Sequence, residues 1–313
     1  MLKRILAVIP TLFGVAVVVF IALQLAPGDP AQWLLGPTAT PASLAALRAE
    51  LGIDQPSLLQ FGHWLSSAFH GDFGFSTSFR QDTFTLVNER FRNTLLLAVP
   101  AFFISTIVGV FLGVVGGMKR GGKIDSFLNM LAFTGVSMPA FWLGLILILY
   151  VALKTGVFPV SSMSSPGLTP TFLDTLWHMF LPVLTLSVAP AAVVAQVTRD
   201  AFSEETGKLY MRTARAKGCS RRQANLRHAL RNTWIPVATT LGLEISYVVG
   251  GAVLVENVFN WPGIGKLLVS STISRDYSVV MFASLIIAVV VVLTNLFIDL
   301  IYPLLDPRVR VHG

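Results

Sequence analysis

Charge is what this sequence has least of. Only 12% of its 313 residues are Asp, Glu, Lys or Arg, about half the share of a soluble domain. A soluble chain of this length has to cover its surface with ionic groups, so that class is excluded. Disorder is excluded as well, because 54% of the residues are apolar and disordered chains lack apolar content. Cysteine is nearly missing. Cys219 stands alone, which rules out an intrachain disulfide and a Cys-rich metal site. The five histidines, at 63, 70, 178, 228 and 312, show no ligand spacing, so no metal site is read. A phosphate-binding loop is missing too. The nearest string is Gly263-Ile264-Gly265-Lys266, which has no glycine five residues before Gly265 and has Leu267 in place of Ser or Thr. Neither His-Glu-x-x-His nor Gly-x-Ser-x-Gly occurs, so hydrolase chemistry has no residues to carry it and the chain is not read as an enzyme.

What is present is apolar length. The mean hydropathy is +0.70, and roughly 20 apolar residues cross a ~30 Å hydrocarbon core as a helix. Six windows meet this test: 5–25, 94–118, 127–153, 177–198, 235–255 and 279–305. The expected fold is therefore an all-α integral membrane protein with six spans. Pro139 interrupts the third window, and Pro182 and Pro190 fall in the fourth. All three are expected to break helices within the membrane, where neighbouring protein satisfies the freed backbone groups. The fifth window carries Glu244 and the sixth Asp299. The first window is longer than the 7–15 residues of a signal-peptide core and has no small-x-small cleavage site, so a retained span is expected.

Basic residues orient the spans. With the N-terminus in the cytoplasm, sixteen of the 23 Lys and Arg fall inside, and the flipped topology would reverse that bias. Both termini are then cytoplasmic. The 26–93 segment is extracytoplasmic and reads as a small helical cap. Pro27-Gly28-Asp29-Pro30 stops the first helix. Thr40-Pro41 starts a cap helix that carries Leu44, Leu47 and Leu51 and closes at Gly52. Further helices are expected over 57–69 and near 83–92, the last running into span two. The cap either packs over the outer ends of the spans or offers a docking surface to an external partner, and the two readings are compatible.

The cytoplasmic 199–234 loop is the most informative segment. Arg212–Lys217 favours helix, and Gly218 suits the left-handed C′ position after it. A second helix restarts at the Ser220 cap and carries Ala224, Leu226 and Leu230 toward Pro236. Small Ala214 and Ala216 let a partner backbone approach, and Arg212, Arg215 and Lys217 surround them with charge. A basic anchor on anionic headgroups accounts for that charge but not for the glycine break.

At this loop the sequence resembles the permease subunits of bacterial ABC importers, whose cytoplasmic loop carries Glu-Ala-Ala-x-x-x-Gly. Gly218 matches the glycine, and Arg212-Thr213-Ala214 stands where Glu-Ala-Ala would. The string Arg212-Thr-Ala-Arg-Ala-Lys-Gly218, followed by Arg227-His-Ala-Leu-Arg-Asn232, is similar to the dipeptide/oligopeptide/nickel branch. So are Pro27-Gly28-Asp29-Pro30, Leu51-Gly-Ile-Asp-Gln-Pro56, Gly71-Asp-Phe-Gly74, Ser137-Met-Pro-Ala-Phe141, Arg275-Asp-Tyr277 and Asp306-Pro-Arg308. Glu256-Asn-Val-Phe-Asn-Trp-Pro-Gly-Ile-Gly265 and the early strings resemble the "B"-type permease.

The resemblance implies a type I importer permease fold with three regions: a first span over 1–25, the cap over 26–93, and a five-helix core over 94–313. It implies one half of a translocation pathway, paired with a homologous second permease in the bacterial inner membrane. Two cytoplasmic ATPases would hold ATP and Mg, so this chain needs no cofactor of its own, and an external solute-binding protein would deliver cargo. No nucleic-acid partner is implied. Arg212, Thr213, Ala214, Arg215, Ala216, Lys217 and Gly218 would form the coupling helix. Glu244 either lines the pore or hydrogen-bonds the partner permease, since intramembrane acids face a cavity or a partner. Asp299 is expected to pair with a basic loop residue. The 256–265 string, with Glu256 and an interfacial Trp261, reads as a re-entrant structural loop or as an outer gate. Di- and oligopeptides, glutathione, nickel chelates and opine-like solutes are all possible cargo. A proton-coupled secondary transporter is the rival class, but internal repeats expected of it are missing. A structural or receptor-like protein would have no use for the 212–218 loop.

Overall fold

A computed structural model of the chain describes residues 2–305 except 27, 37, 166, 168 and 170. Pro27, Arg310 and the 306–308 string therefore lie outside the described residues, as does the Asp299 side chain. Helices follow one another along the chain. They are α1 (Leu2–Leu25), α2 (Pro30–Leu35), α3 (Pro41–Leu51) and α4 (Ser57–Phe69), then α5 (Thr83–Met118) and α6 (Lys123–Ser137). Next come α7 (Ala140–Ile146), continued by a π-helical stretch over Leu147–Leu153, α8 (Phe172–Gly207), α9 (Leu209–Ala216) and α10 (Arg221–Ala224). A π turn over Asn225–Ala229 leads into α11 (Leu230–Val258), followed by α12 (Ile264–Ile273) and α13 (Tyr277–Leu305). One short antiparallel hairpin, β1 (Phe75–Ser76) with β2 (Gln81–Asp82), was not expected; Phe75 pairs with Asp82 and Ser76 with Gln81.

Among the described residues, five helices are long and apolar enough to cross a membrane. A sixth span exists only if α6 and α7 count as one. Those two meet at 104°. Met138 precedes Pro139 and takes an extended conformation (φ −86°, ψ 117°), as the proline ring demands of its predecessor. Pro182 and Pro190 behave differently from expectation. Both lie inside the unbroken α8, because α6 and α11 pack along that helix and their contacts outweigh one missing amide hydrogen bond at each proline. The 199–234 loop is also shorter than expected. Nothing before Gly207 stops α8, and everything after Ser220 runs into α11, so only residues 208–220 stand outside the long helices.

The chain forms two compact units, Met1–Thr94 with Pro262–Val292, and Leu95–Trp261 with Leu293–Gly313. The division differs from the expected 26–93 and 94–313 regions in that α12 and most of α13 join the N-terminal segment. In the first unit Leu86 and Val87 pack with Ile264, Leu267, Val279 and Phe282, and Phe73 stacks on Phe282 with centroids 3.7 Å apart. Leu23 packs on Val280 and Met281. Two strings far apart in sequence meet here. Arg275, held at φ +60°, donates to the Ala26 carbonyl at 3.1 Å. A Cβ on Gly28 would lie 2.9 Å from its guanidinium, so the close approach requires glycine. The next residue, Asp276, accepts from Ser76 Oγ at 2.6 Å and from the Ser78 amide at 3.1 Å. Asp29 caps α2 through the Ala31 amide and pairs with Arg48.

In the second unit α8 is central: 61% of its apolar window is buried, against 28% in α5. Three glycines bring α5 onto α8. A Cβ at Gly109 would lie 2.7 Å from Val194 Cβ, one at Gly113 2.5 Å from Thr198 Cβ, and one at Gly117 3.0 Å from the Arg199 carbonyl. This is the small-residue spacing by which apolar helices approach where lipid supplies no hydrophobic drive.

Candidate functional site

The 208–220 segment is an ordered insert. At its start Lys208 turns extended (φ −69°, ψ 152°) and separates α8 from α9. Gly218 takes φ +92° at the other end. There the Cys219 amide donates to the Ala214 carbonyl at 3.2 Å and the Gly218 amide to Arg215 at 3.0 Å, which together make a Schellman closure. Ser220 then starts α10 with both bonds of a capping box. Gln223 N donates to Ser220 Oγ, and Ser220 N donates to Gln223 Oε1. The glycine break and the restart at Ser220 both stand where the sequence places them.

Inward-facing groups hold the insert. Met211 and Ala224 are fully buried with Phe202 of α8 and Ala229 of the π turn, and Val114, Tyr210, Ala214 and Cys219 pack around them. Tyr210 Oη donates to Glu205 Oε2, Asn232 Nδ2 donates to Tyr210 Oη at 3.1 Å, and Lys208 Nζ donates to Glu205 Oε1. One carboxylate thus ties α8, α9 and α11. Burial, then the bond to Glu205, pushes the Tyr210 phenol above its ordinary value. Bonds to Glu205 and Glu204 raise the Lys208 ammonium.

The outward face is Arg212, Thr213, Arg215, Ala216, Lys217 and Gly218, all exposed. Ala214 is corrected from its expected place. It sits three residues after Met211, on the same helix face, and packs inward, so Ala216 is the small residue a partner would meet. Seven cations and no acid occur over 212–231. A cleft of about 480 Å³, lined by Lys217, Gly218, Cys219, Gln223, Leu226 and Arg227, opens beside the glycine.

The structure adds a group that sequence reading passed over. Arg199 of α8 holds Asp125 of α6 with two bonds, Nε to Oδ1 at 2.5 Å and Nη2 to Oδ2 at 2.8 Å. The Asp125 side chain is only 4% exposed and also accepts from the Gly121 amide. Arg120 reaches Ser203 on α8. The available signal was one acid, Asp125, just after the bases at 119, 120 and 123.

The remaining candidates stand apart from this insert. Glu244 is buried on α11, with no hydrogen bond or ion pair from its side chain among the described residues. Glu256 and Trp261 are fully buried. Trp261 belongs to a core cluster with Leu97, Leu181 and Phe259, so it is not the headgroup anchor expected of it. The Trp261 amide donates to the Glu256 carbonyl at 2.8 Å around Asn260, which is left-handed at φ +53°. Among the described residues, no group of three or more His, Cys, Asp or Glu converges as a metal site.

Comparison with known proteins fits this arrangement. Residues 105–311 match the family described as binding-protein-dependent transport system inner membrane component. Residues 1–98 match the corresponding N-terminal membrane-component family. The probable peptide ABC transporter permease protein y4tP of Sinorhizobium fredii is 40% identical over 311 residues, covering 99% of this chain and 98% of that one. The glutathione transport system permease protein GsiC of Escherichia coli is 40% identical over 309 residues, with the same coverages. The dipeptide transport system permease protein DppB of Escherichia coli is 38% identical, again covering 99% and 98%. Among solved structures, the inward-facing MetNI methionine ABC transporter matches with a TM-score of 0.58 at 18% identity, over 71% of this chain and 97% of that one. A crystal structure of an amino acid ABC transporter with histidines matches at 0.53 and 15% identity, over 70% and 93%. At such identities these two speak for the fold alone. The chain belongs to the inner-membrane components of binding-protein-dependent transport systems, as a permease subunit of the peptide-type ABC importers.

Proposed function

We propose that this permease forms half of a translocation pathway for di- or oligopeptides, or for a solute of similar size such as glutathione, a nickel chelate or an opine. A homologous second permease supplies the other half. Two ATPase subunits hold ATP and Mg and drive the pair, and a solute-binding protein delivers cargo on the opposite side. In this reading the chain lies in the bacterial inner membrane with both termini cytoplasmic, and its 26–93 segment faces outward. The relatives named for peptide, dipeptide and glutathione transport support the peptide and glutathione part of this range.

One observation carries the coupling role. The 212–218 face is exposed and cationic, yet its backbone is closed by caps and its inner side is fixed to α8 and α11. A floppy basic tail would suffice for lipid headgroups, whereas a lever has to be stiff. Closure of the ATPases on this face then tilts α8 and α11 together and switches access from one side to the other. Ala216→Glu tests the docking, because the residue is exposed and the change costs the fold little. The expected result is normal insertion with loss of cargo-stimulated ATP hydrolysis and uptake in the reconstituted transporter. Uptake at the unsubstituted rate would refute the docking face. Transport without ATP would favour the proton-coupled alternative.

A further inference from the structure

Helix α4 has thirteen residues, with no Lys, Arg, Asp or Glu among them and none fully buried. It rests against α1 and, through Phe61 and Trp64, against Val280 and Met281 of α13. The Phe61 ring lies 6.0 Å from Phe13 and 5.2 Å from Phe20, and Gln60 accepts from Gln24 Nε2 at 3.0 Å. Phe13 and Phe20 belong to the apolar run of α1, only 11% of which is buried. At 1.5 Å per residue they sit about 18 and 8 Å short of the helix end at Leu25. The Phe20 level is where a bilayer passes from headgroups to acyl chains, and Phe13 lies deeper, among the acyl chains.

The free side of α4 is amphipathic. Leu58, Gly62, Leu65 and Phe69 recur at helical three- and four-residue steps. Leu58 is 87% and Phe69 82% exposed. Gln60, His63, Ser66 and Ser67 lie on the other side, with Leu59, 54% exposed, among them. Trp64 stacks on Phe61 on the side of α4 that packs inward.

We propose that α4 is an interfacial membrane helix whose occupant is the lipid bilayer. The Leu58–Leu65–Phe69 stripe faces acyl chains, and the His63–Ser66–Ser67 arc faces headgroups and water, on the membrane surface where α1 ends. At about 20 Å the helix is too short to cross, and its lipid-facing stripe continues the lipid-facing side of α1. This inference is independent of the coupling role.

The test uses the full-length chain in its purified transporter, reconstituted in phosphatidylethanolamine–phosphatidylglycerol vesicles, in a Cys219→Ser background. Nitroxides are attached at Leu58→Cys, Phe69→Cys, Ser66→Cys and Ser67→Cys. All four positions are exposed, so folding is not at stake. The expected ratio of oxygen to nickel-chelate accessibility is several-fold higher at 58 and 69 than at 66 and 67. Equal ratios at the four positions would place α4 in water and overturn the proposal. Protection of 58 and 69 from both reagents would overturn it too, since a protein partner would then cover the stripe.

Discussion

Substitutions at Gly218 separate the shape of the insert from the chemistry of its surface. A Cβ built at Gly218 meets nothing within 4 Å, so a larger residue creates no clash inside the chain. The cost is conformational. An L-residue in the left-handed region pays about 1–2 kcal/mol, and replacing glycine recovers about 0.4–1 kcal/mol by restricting the unfolded chain. Gly218→Ala should therefore cost about 1 kcal/mol. That leaves the protein folded and lowers the closed-to-open ratio of the insert about fivefold. Asn tolerates left-handed backbone and should cost less, whereas β-branched Val is a true outlier there and should cost more. The expected order of cargo-stimulated ATP hydrolysis is Gly, Asn, Ala, Val, with equal membrane insertion throughout. Gly218→Asp isolates the surface. Asp accepts the same backbone as Asn but puts an acid on the cationic face where docking is proposed, so it should fall well below Asn. The assay is hydrolysis by the purified transporter with loaded binding protein. If Val performs as well as Asn, the left-handed break does not carry coupling.

Removing Arg199 leaves Asp125 buried and unpaired, so Arg199→Met should cost about 3–5 kcal/mol, with part returned in the Asp125→Asn double variant. Thermal unfolding in detergent reads the difference, and equal losses in the single and double variants would refute the pairing. The Tyr210 and Lys208 shifts are both upward. Their contributions are fully present below the ordinary values near 10 and are lost as pH rises through the folded ones. A nitroxide at Thr213→Cys, in the Cys219→Ser background, should therefore keep constant mobility through neutral pH and loosen above about pH 10. Loosening between pH 6 and 8 would contradict the assignment.

Local rules were legible in the sequence because single residues carry them. Thr40-Pro41 and Gly52 bound α3 as its letters say, Gly218 has a backbone that few other residues accept, and Ser220-x-x-Gln223 spells its own capping box. Features that needed a second, distant partner were not legible. Neither the meeting of Gly28 with Arg275 nor that of Asp125 with Arg199 has a local signal. Pro182 and Pro190 misled for the same reason, since whether a proline breaks a helix depends on what packs around it. The Gly109, Gly113 and Gly117 ladder was readable in principle from its four-residue step, though only the structure names its partner helix. Ala214 shows the limit of reading a motif by size alone: spacing from Met211 decides which way it faces.

In the proposed coupling, the insert is closed by its caps and held by its buried side chains, so a path from its face into the membrane would yield elsewhere. Between Ser220 and the core of α11 the chain departs from α-helical geometry only over Asn225–Ala229. A π turn holds one residue more than the α turn it replaces, and here it sets the angle at which α10 and the 212–218 face leave α11. Deleting Leu226, which is exposed, should let the segment regularise to α-helix. At 3.6 residues per turn, one residue less rotates everything before it by about 100° relative to α11. Met211 and Ala224 cannot then both reach Phe202, so the tie to α8 and the tie to α11 compete. The expected outcome is a chain that still inserts but hydrolyses ATP through its partners without moving cargo. Hydrolysis and uptake should remain tightly linked in Leu226→Ala, which keeps the residue count. A deletion variant that couples normally would show that the π turn is a passive irregularity and that the stiffness of the insert is not what transmits the stroke.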